Sequence, residues 1–258
     1  MTEWNALGYE KISALQQAMA AEVLARLDLK NATRVLDLGC GNGKITAEIA
    51  RRVPHGAVLG VDASADMIAF AMEHFSPATY PNLTFAVTDI RNLAIRGEFD
   101  TVVSFNALHW IPDQATALQA IHRALCKGGC AQLRLVPKHQ RKSLEDVLEE
   151  TRCSAKWASY YSGFHDPYLH MTVEDYAALA EAQGLRVESQ GVEDKSWDFG
   201  SREGFVAFGS VTFVEWLRRL PEEARPDFIA DVLERYASVA GDGQTFRFYQ
   251  MNIRLAKH

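Results

Sequence analysis

Gly39, Gly41 and Gly43 stand two residues apart and follow directly on the run Val35-Leu36-Asp37-Leu38. Glycines so placed let a turn take positive φ and let a ligand lie against bare backbone. The spacing is G-x-G-x-G rather than the G-x-G-x-x-G of dinucleotide binders, since Thr46 stands where that pattern places its last glycine. Two more acids close later apolar runs. Asp62 follows Ala57 to Val61, where a carboxylate can accept from both hydroxyls of a ribose and would repel a 2′-phosphate. Asp89 follows Leu83 to Val87, where a carboxylate can accept from an adenine amino group. Each also has a plainer explanation as a turn or cap residue. All of these explanations would have to hold at the ends of consecutive strands.

The elements that position these residues read as alternating strands and helices. Strands are predicted over Val35 to Leu38, Ala57 to Val61, Leu83 to Val87, Phe99 to Phe105 and Ala131 to Val136. Helices are predicted over Lys44 to Val53, from the Ser64 cap to Phe75, and over Asp113 to Cys126 with Gly128-Gly129 as its stop. Strand–helix alternation means an α/β fold with a parallel sheet covered on both faces. An amphipathic helix carrying Ile12, Leu15, Met19, Val23 and Leu27 precedes it. After residue 137 the rhythm changes to helix and loop. Thr172-x-x-Asp175 opens a helix that Gly184 ends, Leu185 to Gln190 is a strand, and Gly204 to Leu217 and Glu222 to Val239 are helical. Thr245 to Ala256 alternates as a last strand. The expected architecture is a doubly wound, seven-stranded, mostly parallel sheet with a helical cap. Its expected units are an N-terminal helical lid (1–30), a nucleotide-binding core (31–137), the cap (138–171 and 200–240) and remaining core elements (172–199 and 241–258).

The rest of the chain excludes more than it assigns. It has 258 residues, enough to bury a sizeable core, and a formal charge of −6. With no basic run of five or more, nucleic-acid binding is not expected. No stretch approaches the ~20 apolar residues of a membrane span, and Met1 to Glu10 does not read as a secretory leader. Four cysteines (Cys40, Cys126, Cys130, Cys153) match neither a disulfide scaffold nor a zinc spacing, so no metal site is expected. These features lead us to expect a cytoplasmic protein, monomeric or weakly dimeric, acting on a small molecule.

Asp37 to Gly43, Gly60-Val61-Asp62-Ala63-Ser64, Thr88-Asp89-Ile90 and Phe105-Asn106-Ala107-Leu108-His109-Trp110 together resemble the Rossmann-like, class I S-adenosylmethionine (AdoMet)-dependent methyltransferases. That resemblance covers residues 33 to 136 and implies AdoMet as cofactor. It places Asp37, Gly39, Cys40 and Gly41 along the methionine moiety. Asp62 goes to the ribose with Ala63 and Met67 beside it, Asp89 and Ile90 to the adenine, and Asn106 and Ala107 under the amino-acid tail.

Leu108-His109-Trp110-Ile111-Pro112-Asp113, with Tyr9-x-x-x-Ser13-x-x-Gln16, further resembles the carboxylate O-methyltransferases of the trans-aconitate and juvenile hormone acid group. Asp66 to Phe75 and Lys156-Trp157-Ala158-x-Tyr160 are most similar to the juvenile-hormone-acid branch. The resemblance implies that Gln16 (or the adjacent Gln17) and Trp110 hold a substrate carboxylate. Tyr9, His109, Trp157, Tyr160 and Tyr161 are then candidates for substrate contact. A carboxylate is ionised at neutral pH and needs no general base. Its charge disappears on methyl transfer, so neutral donors orient it with less ground-state stabilisation than a cationic clamp would bring.

Residues 153 to 216 are dense in aromatics, among them Trp157, Tyr160, Tyr161, Phe164, Tyr168, Phe205, Phe208, Phe213 and Trp216. Most would serve a cap core and some an apolar substrate pocket. A small polyacid would want converging arginines, for which Arg202, Arg218 and Arg219 are the candidates. Two other functions stay open: N- or phenol O-methylation assisted by His109, His165 or His170, and AdoMet binding without catalysis.

Overall fold

The chain from Arg34 to Leu38 forms β1, buried on both faces beyond its first residue, as its unbroken apolar run requires. The computed structural model describes residues 13–29, 32–169 and 171–258, and the side chains of Ser13, Ala14 and Gln16 lie outside that description. Around β1 stand β2 (Ala57–Asp62), β3 (Leu83–Val87), β4 (Phe99–Phe105), β5 (Leu125–Leu135), β6 (Leu185–Asp198) and β7 (Thr245–Lys257). They make one seven-stranded sheet in the order β3-β2-β1-β4-β5-β7-β6. Strands β1 to β5 run parallel, and β7 runs antiparallel to both β5 and β6.

Helices cover both faces. Before the sheet comes α1 (Ser13–Arg26), and after β1 and β2 come α2 (Lys44–Arg52) and α3 (Ala65–His74). The Ser64 hydroxyl caps α3 by accepting from the Met67 N–H. Helix α4 (Gln114–Ala124), capped by Asp113, buries Ala117, Leu118 and Ile121 against β4 and β5 in a core that also holds Tyr176 and Ala180 of α6 (Val173–Ala182). The opposite face packs Ile49 and Ala50 of α2 over Val35, Val58 and Val103, with Leu24 of α1 at its margin. A third core belongs to the cap: α5 (Leu144–Arg152), α7 (Arg202–Thr212), α8 (Val214–Leu217) and α9 (Arg225–Ala240).

Two predicted boundaries move. Helix α4 stops at Ala124, and Gly128-Gly129 lie inside β5 instead of ending the helix. The ladder passes there from Phe99↔Leu125 to Thr101↔Cys130, and Gly128 at φ +80° turns the extra residues out as a bulge. Strand β6 runs on past Gln190 to Asp198. Among the described residues no strand pairs with its outer edge, and it carries charges on exposed positions, which hides a strand from apolar periodicity.

Candidate functional site

The strand order reverses between β1 and β4, and a cavity of about 570 Å³ opens beyond the carboxyl ends of the strands there. All eleven residues expected at the cofactor line it: Asp37, Gly39, Cys40, Gly41, Asp62, Ala63, Met67, Asp89, Ile90, Asn106 and Ala107.

The glycine turn is built by close approach. Gly39 and Cys40 donate their N–H groups to the Val61 carbonyl at 2.8 and 3.0 Å. Gly39 sits at φ +73°, where a Cβ would lie 2.2 Å from the Ala107 Cβ, so only glycine lets the β1 and β4 loops meet. Gly41, at φ +53°, would point a Cβ into open space, leaving bare backbone at the cavity. Asp37 is buried below the turn and accepts from Thr46 Oγ1 at 2.7 Å. Burial, with the nearby Asp62 charge, pushes its carboxyl up to about 7.

The Asp62 carboxylate is pre-oriented. Its Oδ2 accepts from Gly41 N and its Oδ1 from Ser64 N, both at 2.9 Å. Two carboxylate oxygens held in this orientation suit a vicinal diol. The Asp89 carboxylate accepts from the Arg91 N–H and guanidinium, and that hydrogen bonding holds it below the usual carboxylate range. Asn106 is the one non-glycine residue at positive φ (58°) among the described residues. Its N–H donates to the Arg134 carbonyl at 2.8 Å, and its Oδ1 accepts from Gln250 Nε2 at 3.0 Å. Gln250, fully buried on β7, was not foreseen; it also donates to the Leu135 carbonyl. A bare glycine turn, a fixed carboxylate at the second strand end and this volume fit AdoMet.

The far side of the cavity is mostly apolar. Trp110 lies on the 3-10 turn Leu108–Trp110, which Gln114 Nε2 braces by donating to the Leu108 and Ile111 carbonyls. The Trp110 ring meets Tyr168 edge-on at 5.2 Å and Trp216 at 6.3 Å. Leu144, Leu148, Phe208, Phe213, Phe246 and Phe248 complete this wall. Tyr168, Phe208 and Phe213 belong to the aromatic cap seen in the sequence. Phe246 and Phe248 come from β7, where strand alternation was the available signal. Glu145 and Thr212 also line the cavity. Among the described lining residues the cations are Lys44 and Arg91, both at the glycine-turn and Asp89 end.

His109 lines the cavity but is 4% exposed, and burial pushes its imidazole down to about 3. The Val136 N–H donates to its Nδ1 at 3.3 Å. The ring is therefore neutral at physiological pH, with its proton on Nε2.

The structure corrects three substrate-contact expectations, because Trp157, Tyr160 and Tyr161 do not line the cavity. Trp157 Nε1 donates to Asp231 Oδ2 at 2.7 Å, and the Tyr161 hydroxyl donates to the Trp216 carbonyl at 3.2 Å. Both are buried in the cap core, where each polar tip needs a partner, while Tyr160 is 43% exposed. Arg202, Arg218 and Arg219 also lie away from the cavity lining: Arg202 donates to the Ala230 carbonyl, Arg218 pairs with Glu215 at 3.2 Å, and Arg219 stacks on Phe164. Tyr9, His170 and the Gln16 side chain fall outside the described residues, although Gln16 lies within α1 and neighbouring Gln17 lines the cavity.

Among the described residues, no helix is long and apolar enough to cross a membrane, and no group of three or more His, Cys, Asp or Glu is arranged to hold a metal ion. The family model described as "Methyltransferase domain" matches residues 35–129. A trans-aconitate 2-methyltransferase from Deinococcus radiodurans is 35% identical over 184 residues, covering 70% of this chain and 69% of that protein. One from Delftia acidovorans is 27% identical across 93% of this chain and 92% of its own length. Phosphoethanolamine N-methyltransferase 2 of Haemonchus contortus, solved with S-adenosyl-L-methionine, superposes with a TM-score of 0.61 at 19% identity, covering 98% of this chain and 56% of that one. That likeness is one of fold. The glycine turn, the carboxylates at successive strand ends and these relationships together identify the chain as a methyltransferase of the class I AdoMet-dependent family, similar to the trans-aconitate 2-methyltransferase group.

Proposed function

We propose that this methyltransferase esterifies an apolar carboxylic acid, joining the methyl group to a carboxylate oxygen by in-line displacement. The observation that carries the proposal is the acceptor side of the cavity. It is walled by Trp110, Tyr168, Phe208, Phe213, Phe246 and Phe248, and its described lining has no arginine or lysine. The named acceptor of the trans-aconitate relatives, a carboxylic acid, points to the same reaction. The missing arginines favour an apolar acid over a tricarboxylate.

Bound AdoMet supplies an electrophilic methyl group on a positively charged sulfur. The chain's residues have then to bind, aim and keep water out. In our reading the glycine turn, Asp62, Ala63, Met67, Asp89, Ile90, Asn106 and Ala107 seat the cofactor, and the Trp110 indole N–H and the Gln16 amide hold the acceptor carboxylate. Positioning of this kind is worth roughly 7–11 kcal/mol. An apolar wall favours a step in which an anion and a cation become neutral. His109 carries its proton on Nε2 and its Nδ1 accepts from the Val136 N–H, so neither nitrogen is placed to take a proton, which weighs against a histidine-assisted phenol or amine methylation.

The test is a panel of acceptors with AdoMet: medium-chain and isoprenoid acids, trans-aconitate, phenols and amines. Greatest kcat/KM is expected on an apolar monoacid. Turnover confined to amines or phenols would overturn the proposal.

A further inference from the structure

Helix α1 forms a wall of the cavity through Leu15, Gln17, Met19, Ala20 and Val23. It bridges two cores: Leu15 packs in the cap, and Leu24 packs beside α2, the helix that leaves the glycine turn. Its other side meets charged side chains of the sheet. Arg134 of β5 has a side chain only 2% exposed. Its Nη2 donates to Glu22 Oε2 at 3.0 Å and its Nη1 to the Met19 carbonyl at 3.3 Å. Lys195 of β6 donates to the same Glu22 oxygen and lies 3.2 Å from Glu193 Oε2. Arg26 closes the network on Glu22 at 3.2 Å and on Glu193. Burial opposes ionisation of Glu22, yet the hydrogen bonds and charges of Lys195 and Arg134 outweigh it and hold its carboxyl at about 2.

We infer that Arg134 is a positioning residue for the methyltransferase reaction. It clamps α1 against the sheet, so that the wall made by Met19, Ala20 and Val23 stands opposite the glycine turn. The geometry gives Arg134 two links to the site. Its side chain grips the turn of α1 that contains Met19, a lining residue, and its carbonyl accepts the N–H of Asn106 on the cavity floor. A buried guanidinium is costly to desolvate and contributes little net stability compared with an apolar residue of similar size. Its orienting effect on α1 is a role that methionine cannot supply.

If α1 is docked in only a fraction of molecules, apparent ligand affinity falls by that fraction, while saturating ligand restores the docked form. The inference rests on the AdoMet site and not on the acceptor, because AdoMet binding alone reads it out. Arg134→Met should weaken AdoMet binding about tenfold or more in calorimetry and raise KM, leaving kcat at saturation within about threefold of the native value. Trypsin should cut after Arg26 faster than in the native protein, and saturating AdoMet should suppress the difference. Arg134→Lys, which keeps the charge but offers a single donor group, should recover part of the affinity. Lys195→Met removes one outer contact and should weaken binding about threefold. A folded Arg134→Met protein with native AdoMet affinity, or with lower thermal stability alone, overturns the inference. If Arg134→Met does not fold, Lys195→Met decides, and native affinity with native cleavage after Arg26 overturns it.

Discussion

Substituting alanine at two glycines of the turn separates packing from ligand contact. Alanine at either position must hold positive φ, which costs about 1–2 kcal/mol. At Gly39 the added methyl would also stand 2.2 Å from the Ala107 Cβ. Carbon atoms pack at about 3.5–4.0 Å, so the β1 and β4 loops must part by more than about 1 Å. Overpacking of this kind adds about 1–3 kcal/mol, for a total of about 2–5 kcal/mol. In a domain of this size each kcal/mol moves Tm by about 2–4 °C, so Gly39→Ala should melt about 4–20 °C below the native protein. Gly41→Ala carries only the backbone term, since its methyl meets nothing within 4 Å. It should lose only a few degrees, about 2–8 °C on the same scale. Because Gly41 lines the cavity, AdoMet affinity should nevertheless fall at least about tenfold, or about 1.4 kcal/mol. Scanning calorimetry and titration calorimetry on both variants provide the check. Equal melting temperatures for the two would refute the packing argument. Native AdoMet affinity in Gly41→Ala would refute the placement of the cofactor against this turn.

Asp62→Ala removes the acceptor for Gly41 N and Ser64 N and the proposed diol contact; titration calorimetry should show AdoMet binding weakened about 10- to 100-fold, the range for hydrogen bonds to a charged group. Trp110→Phe keeps the ring but removes the N–H; steady-state kinetics should show kcat/KM for the acid lowered about tenfold, with AdoMet affinity unchanged. Asp37, whose folded pKa is raised to about 7, keeps its proton in the native state while the unfolded carboxyl releases it, so its contribution to stability falls as pH rises from about 4 through 7. Asp37→Asn should therefore match the native protein near pH 4 and melt progressively higher than it as pH approaches 8, which a calorimetric pH series would show. Because His109 is neutral down to about 3, the pH profile of acid methylation should show no histidine inflection near neutrality.

The cofactor end was legible because its signals are local. Strands β1 to β4 are apolar runs, each followed by a residue that cannot continue the run, and parallel topology brings those ends together. The acceptor end was legible only in part. Tyr168, Phe208 and Phe213 face the cavity, whereas Trp157, Tyr161 and Trp216 satisfy their polar tips inside the cap. Composition treats all six alike, and only packing separates them. Gln250 and Arg134 act between elements distant in the chain, through partners 144 and 112 residues away in sequence, and no spacing rule reaches that far. The glycine pair at 128–129 misled for a related reason: glycine marks both a helix end and a bulge, and the neighbouring strand decides between them.

Incubation with methyl-tritiated AdoMet and a single apolar monoacid, followed by mild base and recovery of volatile methanol, tests the central claim most directly. Carboxyl methylation predicts tritium in a base-labile ester, with release that depends on both the enzyme and the acid. Label that withstands base, or that appears only when an amine or phenol replaces the acid, would contradict it.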